Sequence, residues 1–382
     1  MARRRSASSI WTRSLQRSVR KLTQATLKAG NQALKKALVS GAKTAKPAKT
    51  PRPARALKPG KPGKVAPAAK TARRPARPAK PAADPLGLSL GPAGARRYRL
   101  YTPPGLRRGE KLPLLVMLHG CSQSAESFAL STRMNRLAAR ERCFVLYPEQ
   151  DRLANPQACW NWYETRSGRA QGEAALIVAA IDQVCRLQPV DAARIAVAGL
   201  SAGASMAALL AVRYPARFCA VAMHSGIAPG AASSTATALR AMSGLGRAPK
   251  ALAATNPSTP RHTIALPPLL VIHGSEDHVV ASSNGRAAAQ LWADAAGALP
   301  RPSRVVQRGA RYPVTVTDFR RRGTLAASLC VVQGLGHAWS GGTAGKPFSD
   351  PQGPDASRMI WAFVARQFAL APAAAPAPAL KR

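Results

Sequence analysis

The sequence is poor in cysteine and has no long apolar run, and each shortage excludes a class of protein. Six cysteines in 382 residues are too few for a scaffold held together by disulfides. They form no Cys-x-x-Cys pair and no cluster with histidine, so we expect no metal site and no cofactor bound through one. No apolar run approaches the roughly 20 residues that a membrane-spanning helix needs, so we expect no transmembrane span.

Acidic residues are absent from the first 83 positions, which contain 23 lysines and arginines. From Gly41 to about Pro85 the chain repeats Ala-Lys-Pro-Ala units with almost no branched apolar or aromatic residues. Such a segment cannot bury enough surface to fold, and proline and charge repulsion keep it extended. Residues 8–40, in contrast, suit an amphipathic helix with a basic face. The apolar face of that helix would consist of Trp11, Leu15, Val19 and Leu22.

The formal net charge of the whole chain is +41, and the residues beyond position 83 still contain 34 basic against 16 acidic side chains. A charge of this size acts on the attraction to anionic partners and does not determine a fold. We therefore predict that the tail binds nucleic acid or another polyanion without sequence specificity and with strong salt dependence. The alternatives are a lipid layer or coated granule as the partner, a solvated tail without one, and an organellar transit peptide.

Composition divides the chain into three parts. These are a basic Ala/Lys/Pro-rich tail (residues 1–86), a folded domain (residues 87–371) and an Ala/Pro-rich segment that we expect to be disordered (residues 372–382). The arginines near the N-terminus are not followed by the apolar segment of roughly 7–15 residues that a secretory signal contains. We therefore predict a cytoplasmic location, with an extracellular one as the alternative.

Apolar runs alternate with helical patterns through the folded domain. Buried strands are predicted at residues 113–118, 143–147, 194–200, 218–223, 268–272 and 329–332, with an edge strand at 97–102 and a helix at 128–140. Strands that alternate with helices form a mostly parallel central sheet covered on both faces, so the fold class is α/β. Ligand chemistry in such sheets gathers at the carboxyl ends of the strands. Residues 229–265 are poorly periodic and suit a lid over such a site.

One strand-to-helix junction contains a motif for nucleophilic catalysis. A β-branched run enters the turn Gly199-Leu-Ser-Ala-Gly203 and leaves as a run of helix formers. The pattern Gly-x-Ser-x-Gly is common by chance, but a strand before it and a helix after it are typical of a nucleophile elbow. The tight turn exposes the hydroxyl of Ser201, which we predict to be the nucleophile.

A serine hydroxyl is a weak nucleophile without a base, and the base needs a carboxylate to orient it. His337 lies in a glycine-rich loop after the last predicted strand and is the candidate base. Asp277 follows another strand in a His-Gly-x-x-Asp turn and is the candidate acid, with Glu276 and Asp318 as alternatives. The chain order Ser201, Asp277, His337 is the order found in α/β-hydrolases.

An acyl-transfer site also needs backbone N–H groups aimed at the developing oxyanion. Ala202, the residue after the nucleophile, supplies one, and Cys121 in the sequence His119-Gly-Cys supplies the other. A tight turn without a catalytic role is the alternative for that sequence. Cys121 and Cys159 both flank candidate site loops, so a disulfide between them is an alternative to two free thiols if the protein is exported.

As a set, these motifs resemble the polyhydroxybutyrate (PHB) depolymerase family of esterases. The resemblance covers roughly residues 96–368. It rests on Leu118-His-Gly-Cys-Ser-Gln123, Tyr147-Pro-Glu-Gln150, Cys159-Trp-Asn-Trp162, Val197-Ala-Gly-Leu-Ser-Ala-Gly203, His224-Ser-Gly226, Gly336-His-Ala-Trp-Ser-Gly-Gly342 and Asp350-Pro-Gln-Gly-Pro-Asp-Ala-Ser357. One departure is Ala204, which stands where the family usually has a second glycine.

The resemblance implies an α/β-hydrolase fold and a serine esterase that needs no cofactor and no metal. It implies Ser201 as nucleophile, Asp277 as acid and His337 as base, with an oxyanion motif that contains His119 and Cys121. The implied substrates are short-chain polyhydroxyalkanoate (3-hydroxybutyrate) esters or related carboxylic esters. A polyhydroxyalkanoate granule or polymer is the partner that the resemblance implies. Candidates for substrate binding are Trp160, Trp162 and Trp339, with a place in the core as the alternative for the first two.

Two other functions stay open at this point. One is a general small-ester or feruloyl/acetyl esterase, since one fold hosts many esterases. The other is a granule- or polyanion-binding protein in which the hydrolase domain is only a scaffold. An intact triad argues against the second, whereas the basic tail argues that binding belongs to the function.

Overall fold

The computed structural model describes residues 86–91, 94–246 and 265–371. The predicted amphipathic helix at 8–40, the rest of the basic tail before Leu86 and the segment 372–382 lie outside these ranges.

The strands are β1 Leu86–Gly91, β2 Gly94–Tyr101, β3 Leu112–Leu118, β4 Phe144–Pro148, β5 Val190–Leu200, β6 Ala220–His224, β7 Leu269–Gly274, β8 Leu299–Pro300, β9 Arg304–Val306, β10 Val314–Arg321, β11 Thr324–Val332, β12 Trp339–Ser340 and β13 Ser349–Asp350. The helices are α1 Ala125–Thr132, α2 Met134–Glu141, α3 Arg169–Leu187, α4 Ala202–Arg213, α5 Thr235–Met242, α6 Ser283–Ala296 and α7 Ala356–Leu370.

The central sheet has the strand order β1-β2-β4-β3-β5-β6-β7-β11-β10-β8, and β9 also pairs with β10. The six strands from β4 to β11 in this order run parallel to one another. Antiparallel strands flank them, with β2 on β4 at one side and β10 on β11 at the other. The prediction of a mostly parallel sheet is therefore confirmed.

Helices cover both faces of this sheet because its strands alternate their side chains between two apolar clusters. In β3, Leu114 and Val116 belong to the cluster under α3, α4 and α6, whereas Leu115 and Met117 belong to the cluster under α1, α2 and α7. Every residue of β3 is buried, as expected for a strand that is covered on both sides.

The parallel strands end together at one edge of the sheet. Gly199 lies beside Leu118 on β3 and beside Met223 on β6, and β11 ends next to β7 at the pair Val332 and Gly274. The loops that follow β3, β5, β6, β7 and β11 therefore meet at this edge. Among the described residues, no helix is long and apolar enough to cross a membrane.

Candidate active site

Ser201 lies at the junction of β5 and α4 in a backbone conformation that L-residues rarely adopt. Its φ is 56° and its ψ is −121°. The Ser201 N–H donates a hydrogen bond of 2.8 Å to the carbonyl oxygen of His224 at the end of β6. This strained turn points the serine out of the strand, as a nucleophile elbow requires.

Two glycines allow the strand and helix on either side of Ser201 to approach each other. A Cβ atom on Gly199 would lie 2.4 Å from the carbonyl carbon and oxygen of Gly203. A Cβ atom on Gly203 would lie 2.2 Å from the carbonyl oxygen of Leu118 on β3. These contacts are to backbone, which cannot move aside, so the elbow requires glycine at both positions.

We predict that Gly203→Ala lowers the free energy of unfolding by about 3 kcal/mol, because the added methyl group overlaps the end of β3. Urea unfolding of wild type and variant measures the change. The matched control is Ala204→Gly in the same helical turn, which removes a methyl group and should cost about 1 kcal/mol. Equal losses in the two variants would contradict the prediction.

Asp277 and His337 form a hydrogen-bonded pair. His337 Nδ1 lies 2.8 Å from Asp277 Oδ2, and the aspartate side chain is fully buried. Asp277 Oδ1 accepts hydrogen bonds from the backbone N–H groups of Val279 at 3.0 Å and Val280 at 2.9 Å. An ionised carboxylate with these donors fixes the proton of His337 on Nδ1, which leaves Nε2 free to act as a base.

Burial of Asp277 favours a raised pKa, but hydrogen bonds from His273 and His337 outweigh it and hold the pKa of this carboxyl well below its ordinary value. The two alternative acids lie elsewhere. Glu276 is exposed beside His278, and Asp318 on β10 pairs with arginines. Of the three acids predicted from sequence, the structure brings Asp277 alone to His337.

A second histidine faces Asp277 and was not assigned a role from sequence. His273, on β7, has Nε2 2.8 Å from the carbonyl oxygen of Val280 and 3.5 Å from Asp277 Oδ2. Its side chain is completely buried, and a Cβ atom on Gly285 would lie 2.7 Å from its Nδ1. His273 therefore closes the turn that holds Asp277. The sequence signal for it is the His-Gly pair at the end of a buried strand.

His224 connects the end of β6 to the loop that contains His337. Its Nε2 accepts a hydrogen bond of 3.1 Å from the Ser340 N–H, and its ring stacks on Trp339 with the centroids 5.1 Å apart. The ring is completely buried, and this burial lowers the pKa of His224 to about 3. A neutral His224 therefore supports the loop of the candidate base.

The loop after β3 lies close to the elbow, since a Cβ atom on Gly120 would lie 3.5 Å from Ser201 Cβ. The Gly120 N–H is bound by Gln123 Oε1 and the Ser122 N–H by the Gln157 carbonyl oxygen, whereas the N–H of Cys121 has no acceptor among the described residues. The N–H of Ala202 lies in the first turn of α4, where a helix offers no acceptor of its own. Both amides are thus free to bind an oxyanion.

A disulfide joins Cys121 to Cys159. It ties the loop after β3 to the loop that contains Trp160, and the hydrogen bond between the Ser122 N–H and the Gln157 carbonyl oxygen lies beside it. Of the two alternatives left open by the sequence, the structure contains the disulfide. Because the bond holds the Cys121 side chain, it also restricts the position of the Cys121 backbone amide.

His119 lies beneath the loop that follows β3, and its ring is not exposed. Its ring is completely buried, Nε2 accepts from the Gln150 N–H at 3.1 Å, and Nδ1 lies 2.8 Å from the Gly120 carbonyl oxygen. Because Nε2 is an acceptor here, the proton lies on Nδ1 and is donated to Gly120. The expected role of His119 in the oxyanion motif is therefore corrected to support of the loop, since its ring nitrogens are both occupied.

The three tryptophans expected to bind substrate are buried. Trp160 is 0% exposed and donates its indole N–H to the His119 carbonyl oxygen, and Trp339 is 1% exposed and donates to Ser357. Trp162 is 7% exposed and packs edge-on against Tyr163. Side chains without exposed surface do not contact a substrate, so we correct the role of Trp160 and Trp339 to positioning of the site loops.

We predict that stability falls as the pH is lowered below 6.5, because two completely buried histidines must gain a proton on unfolding. Burial lowers the pKa of His119 to about 4 and of His224 to about 3. The unfolded chain takes up these protons from about pH 6.5 downward and the folded protein does not until pH 4 or below. Their contribution to stability is therefore complete above pH 6.5 and is lost progressively toward pH 3.

The expected slope is about 1.4 kcal/mol per pH unit for each histidine. Urea unfolding at pH 7.5, 6.0 and 5.0 measures it in a range where most carboxylates stay ionised. His278→Gln is the control, because that ring is 85% exposed and its loss should leave the slope unchanged. A free energy of unfolding that stays constant from pH 7.5 to 5.0 would refute the prediction.

The sequence of this chain matches a known protein family. The family model described as Esterase PHB depolymerase matches residues 96–299, which is more than half of the chain. The chain belongs to the PHB depolymerase family of esterases. The matched range includes Ser201, Asp277 and the loop of Cys121.

The known proteins that this chain resembles in sequence have names that give different substrates. The chain is 31% identical to poly(3-hydroxyalkanoate) depolymerase C of Paucimonas lemoignei over 230 residues, which cover 59% of this chain and 54% of that protein. It is 30% identical to feruloyl esterase B of Neurospora crassa over 211 residues, which cover 52% of this chain and 70% of that protein. The chain thus spans about half of the length of the depolymerase that it matches.

A solved acetyl xylan esterase from Aspergillus awamori has a similar fold. It aligns with a TM-score of 0.52 and 19% sequence identity, over 66% of this chain and 94% of that one. At this identity the likeness concerns the fold alone. The PHB depolymerase family member described here has the α/β-hydrolase fold, as its sequence implied.

Proposed function

We propose that this protein hydrolyses carboxylic esters through an acyl-enzyme on Ser201. The observation that carries the proposal is the hydrogen bond of 2.8 Å between His337 Nδ1 and the buried Asp277, at the same sheet edge as the strained Ser201 turn. Membership in a family of esterases and two free backbone amides beside the elbow support it.

The reaction proceeds in two halves. His337 Nε2 accepts the proton of Ser201 as its Oγ attacks the ester carbonyl carbon, and the amides of Cys121 and Ala202 stabilise the oxyanion that forms. The protonated His337, stabilised by Asp277, donates that proton to the leaving alcohol as the ester C–O bond breaks. Water then attacks the carbonyl carbon of the acyl-enzyme while His337 accepts a proton from it. As the bond between that carbon and Ser201 Oγ breaks, His337 returns the proton to Oγ and the free acid leaves.

For the substrate, we propose short-chain polyhydroxyalkanoates, that is, esters of 3-hydroxybutyrate and their polymer. The family model and the 31% identity to a poly(3-hydroxyalkanoate) depolymerase support this choice. A second candidate is a feruloyl or acetyl ester, which is favoured by the 30% identity to feruloyl esterase B over 70% of that protein.

The test compares the substrates directly. Wild type is assayed with p-nitrophenyl esters of increasing acyl length, amorphous poly(3-hydroxybutyrate), methyl ferulate and acetylated xylan. We expect turnover of butyryl esters and release of 3-hydroxybutyrate from the polymer. Turnover of ferulate or acetyl esters without attack on the polymer would select the second candidate, and inactivity on every ester would refute the proposed hydrolysis.

We further propose that residues 1–83 bind a polyanion and hold the esterase domain near it. The support is the sequence, with 23 basic and no acidic residues in this segment. Removal of these residues leaves all described strands in place, because β1 begins at Leu86. We expect the shortened chain to keep its turnover of soluble esters and to lose salt-sensitive binding to duplex DNA. Unchanged DNA binding by the shortened chain would refute the proposed role of residues 1–83.

For the compartment, we propose an oxidising one. The support is the Cys121–Cys159 disulfide, since such bonds persist outside the reducing cytosol. This choice favours the extracellular alternative over the cytoplasmic prediction. The test is to isolate the protein in the presence of a reagent that blocks free thiols and to count the blocked cysteines after unfolding. Blocking of all six cysteines would refute the proposed oxidising compartment.

A further inference from the structure

A buried polar network lies beneath the loop that follows β3, which contains Cys121, and it connects β2, the loop after β4 and α3. Its members are 1–4% exposed and carry two opposite charges. They are Arg96, Gln150, Asn161 and Glu173. None of them belongs to the proposed Ser201–Asp277–His337 triad, so their burial calls for a separate explanation.

Glu173 is the acceptor at the centre of this network. Its Oε1 accepts hydrogen bonds from Gln150 Nε2 at 2.7 Å and from Asn161 Nδ2 at 2.6 Å. Its Oε2 accepts from the backbone N–H of Asn161 at 2.9 Å. Three donors on one buried carboxylate are what an ionised acid needs to remain stable inside a protein.

Arg96 supplies the opposite charge from β2. Its Nη1 donates to Gln150 Oε1 at 2.5 Å and to the Glu149 carbonyl oxygen at 3.2 Å, and its guanidinium lies 5.4 Å from the ring centroid of Trp160. Gln150 thus bridges the two charges, accepting from Arg96 and donating to Glu173. Networks of this kind add little net stability compared with apolar packing, but they fix relative positions closely.

The network reaches the Cys121 amide along two routes. The Gln150 N–H donates to His119 Nε2 at 3.1 Å, and the same ring contacts the Gly120 carbonyl oxygen directly before Cys121. Gln150 Nε2 also donates to the Cys159 carbonyl oxygen at 2.9 Å, and Cys159 is joined to Cys121 by the disulfide. The donor amide is therefore held at both its backbone and its side chain.

We propose that Glu173 is a positioning residue for the oxyanion hole, holding the loop of Cys121 at the distance that transition-state stabilisation requires. A donor amide acts on an oxyanion only within about 2.7–3.1 Å, so a small displacement of this loop is costly. Cys121 and Cys159 lie outside helices and strands, and the hydrogen bonds that Glu173 accepts replace the support that such elements would give. The inference rests on the ester hydrolysis proposed above.

Glu173→Gln tests it with almost no change of volume. The amide cannot accept from all three donors, since its own NH₂ group faces one of them. We expect kcat per active site to fall about 10- to 100-fold with KM within about twofold, because ground-state binding does not use the oxyanion donors. Affinity for a boronic acid that mimics the tetrahedral oxyanion should fall by the same factor as kcat/KM.

The matched control is Asp182→Asn, which removes a carboxylate from the same helix. Asp182 pairs with Arg217 and is half exposed, so its loss should leave kcat and boronate affinity unchanged. Active sites are counted by labelling Ser201 with a fluorophosphonate, which separates lost positioning from lost folding. Should Glu173→Gln fail to fold, Asn161→Ala removes one of the three donors to Glu173, together with the acceptor of Asn155 Nδ2, and should show the same pattern on a smaller scale.

The outcomes distinguish a wrong role for Glu173 from a wrong assignment of ester hydrolysis. A kcat per labelled site within twofold of wild type, or equal losses in boronate affinity and in the binding of a ground-state product, would overturn the role of Glu173. Wild type without activity on any ester would instead refute the proposed function, and this result is obtained before any variant is made.

Discussion

Replacement of Ser201 by alanine is expected to lower kcat for ester hydrolysis by at least about 10⁴-fold. The variant keeps the backbone turn and the amides of Cys121 and Ala202 but has no atom to attack the carbonyl carbon. The residual rate then comes from substrate binding and oxyanion stabilisation alone. Hydrolysis of p-nitrophenyl butyrate by wild type and variant measures the loss, and fluorophosphonate labelling of the variant should disappear.

Ser282→Ala is the control for this substitution. Ser282 precedes α6 and its hydroxyl contacts Arg286 on the surface, so kcat should not change. A Ser201→Ala variant with activity within tenfold of wild type, after contamination by wild-type enzyme is excluded by the labelling, would show that another group is the nucleophile.

Replacement of Asp277 by asparagine is expected to lower kcat by about 10⁴-fold while the protein stays folded. The amide oxygen can still accept from the Val279 and Val280 N–H groups, which currently bind Oδ1. The NH₂ group would then face His337 Nδ1, which is 2.8 Å from the Oδ2 that it replaces. Two donors cannot share a hydrogen bond, so the imidazole shifts its proton to Nε2 and loses its function as a base.

The matched control for Asp277→Asn is Asp318→Asn, at the acid that sequence alone left as an alternative. Asp318 lies on β10, bonded to Ser328 and paired with Arg304 and Arg320, so we expect less than a twofold change in kcat. Large losses in Asp318→Asn and small ones in Asp277→Asn would reverse the assignment of the acid.

The sheet could be predicted from sequence where strands are apolar throughout, and less well at its margins. The run before His119 and the run before the elbow are buried strands as expected. The strand predicted at 97–102 is not at the edge, because β1 pairs with it from the sequence Leu-Gly-Leu-Ser-Leu-Gly. Gly87 and Gly91 conceal the strand there, since glycine has a low β-propensity.

The helical segments show a similar limit. The single helix predicted at 128–140 is two helices, α1 and α2, separated at Arg133, whose φ is 55°. Part of the predicted lid forms α5, which begins after Ser234 with a capping box to Thr237, and residues 247–264 lie outside the described part. Single-residue breaks and short capped helices depend on local hydrogen bonds that periodicity does not report.

For the site, the sequence predicted which residues end strands but not which way they face. Asp277 and His337 are hydrogen-bonded as a triad requires, because catalytic loops follow strand ends. Trp160 and His119 follow the same rule and yet face the interior, where they support the loop. Glu173 gave no signal, since an acid in a helical pattern is usually on the surface and only its burial distinguishes it.

Burial protects three of the described histidines from chemical modification and leaves the candidate base partly accessible. The rings of His119, His224 and His273 are completely buried, whereas the side chain of His337 is 9% exposed and that of His278 is 85% exposed. His337 Nε2 has no hydrogen-bond partner among the described residues. Within the described part of the chain, an imidazole-acylating reagent therefore has a fast target at His278 and a slower one at His337. His262 lies outside the described residues, so it is replaced together with His278. In a His262→Gln, His278→Gln background, acylation of histidine should follow the loss of activity one for one, and a bound competitive inhibitor should protect against it.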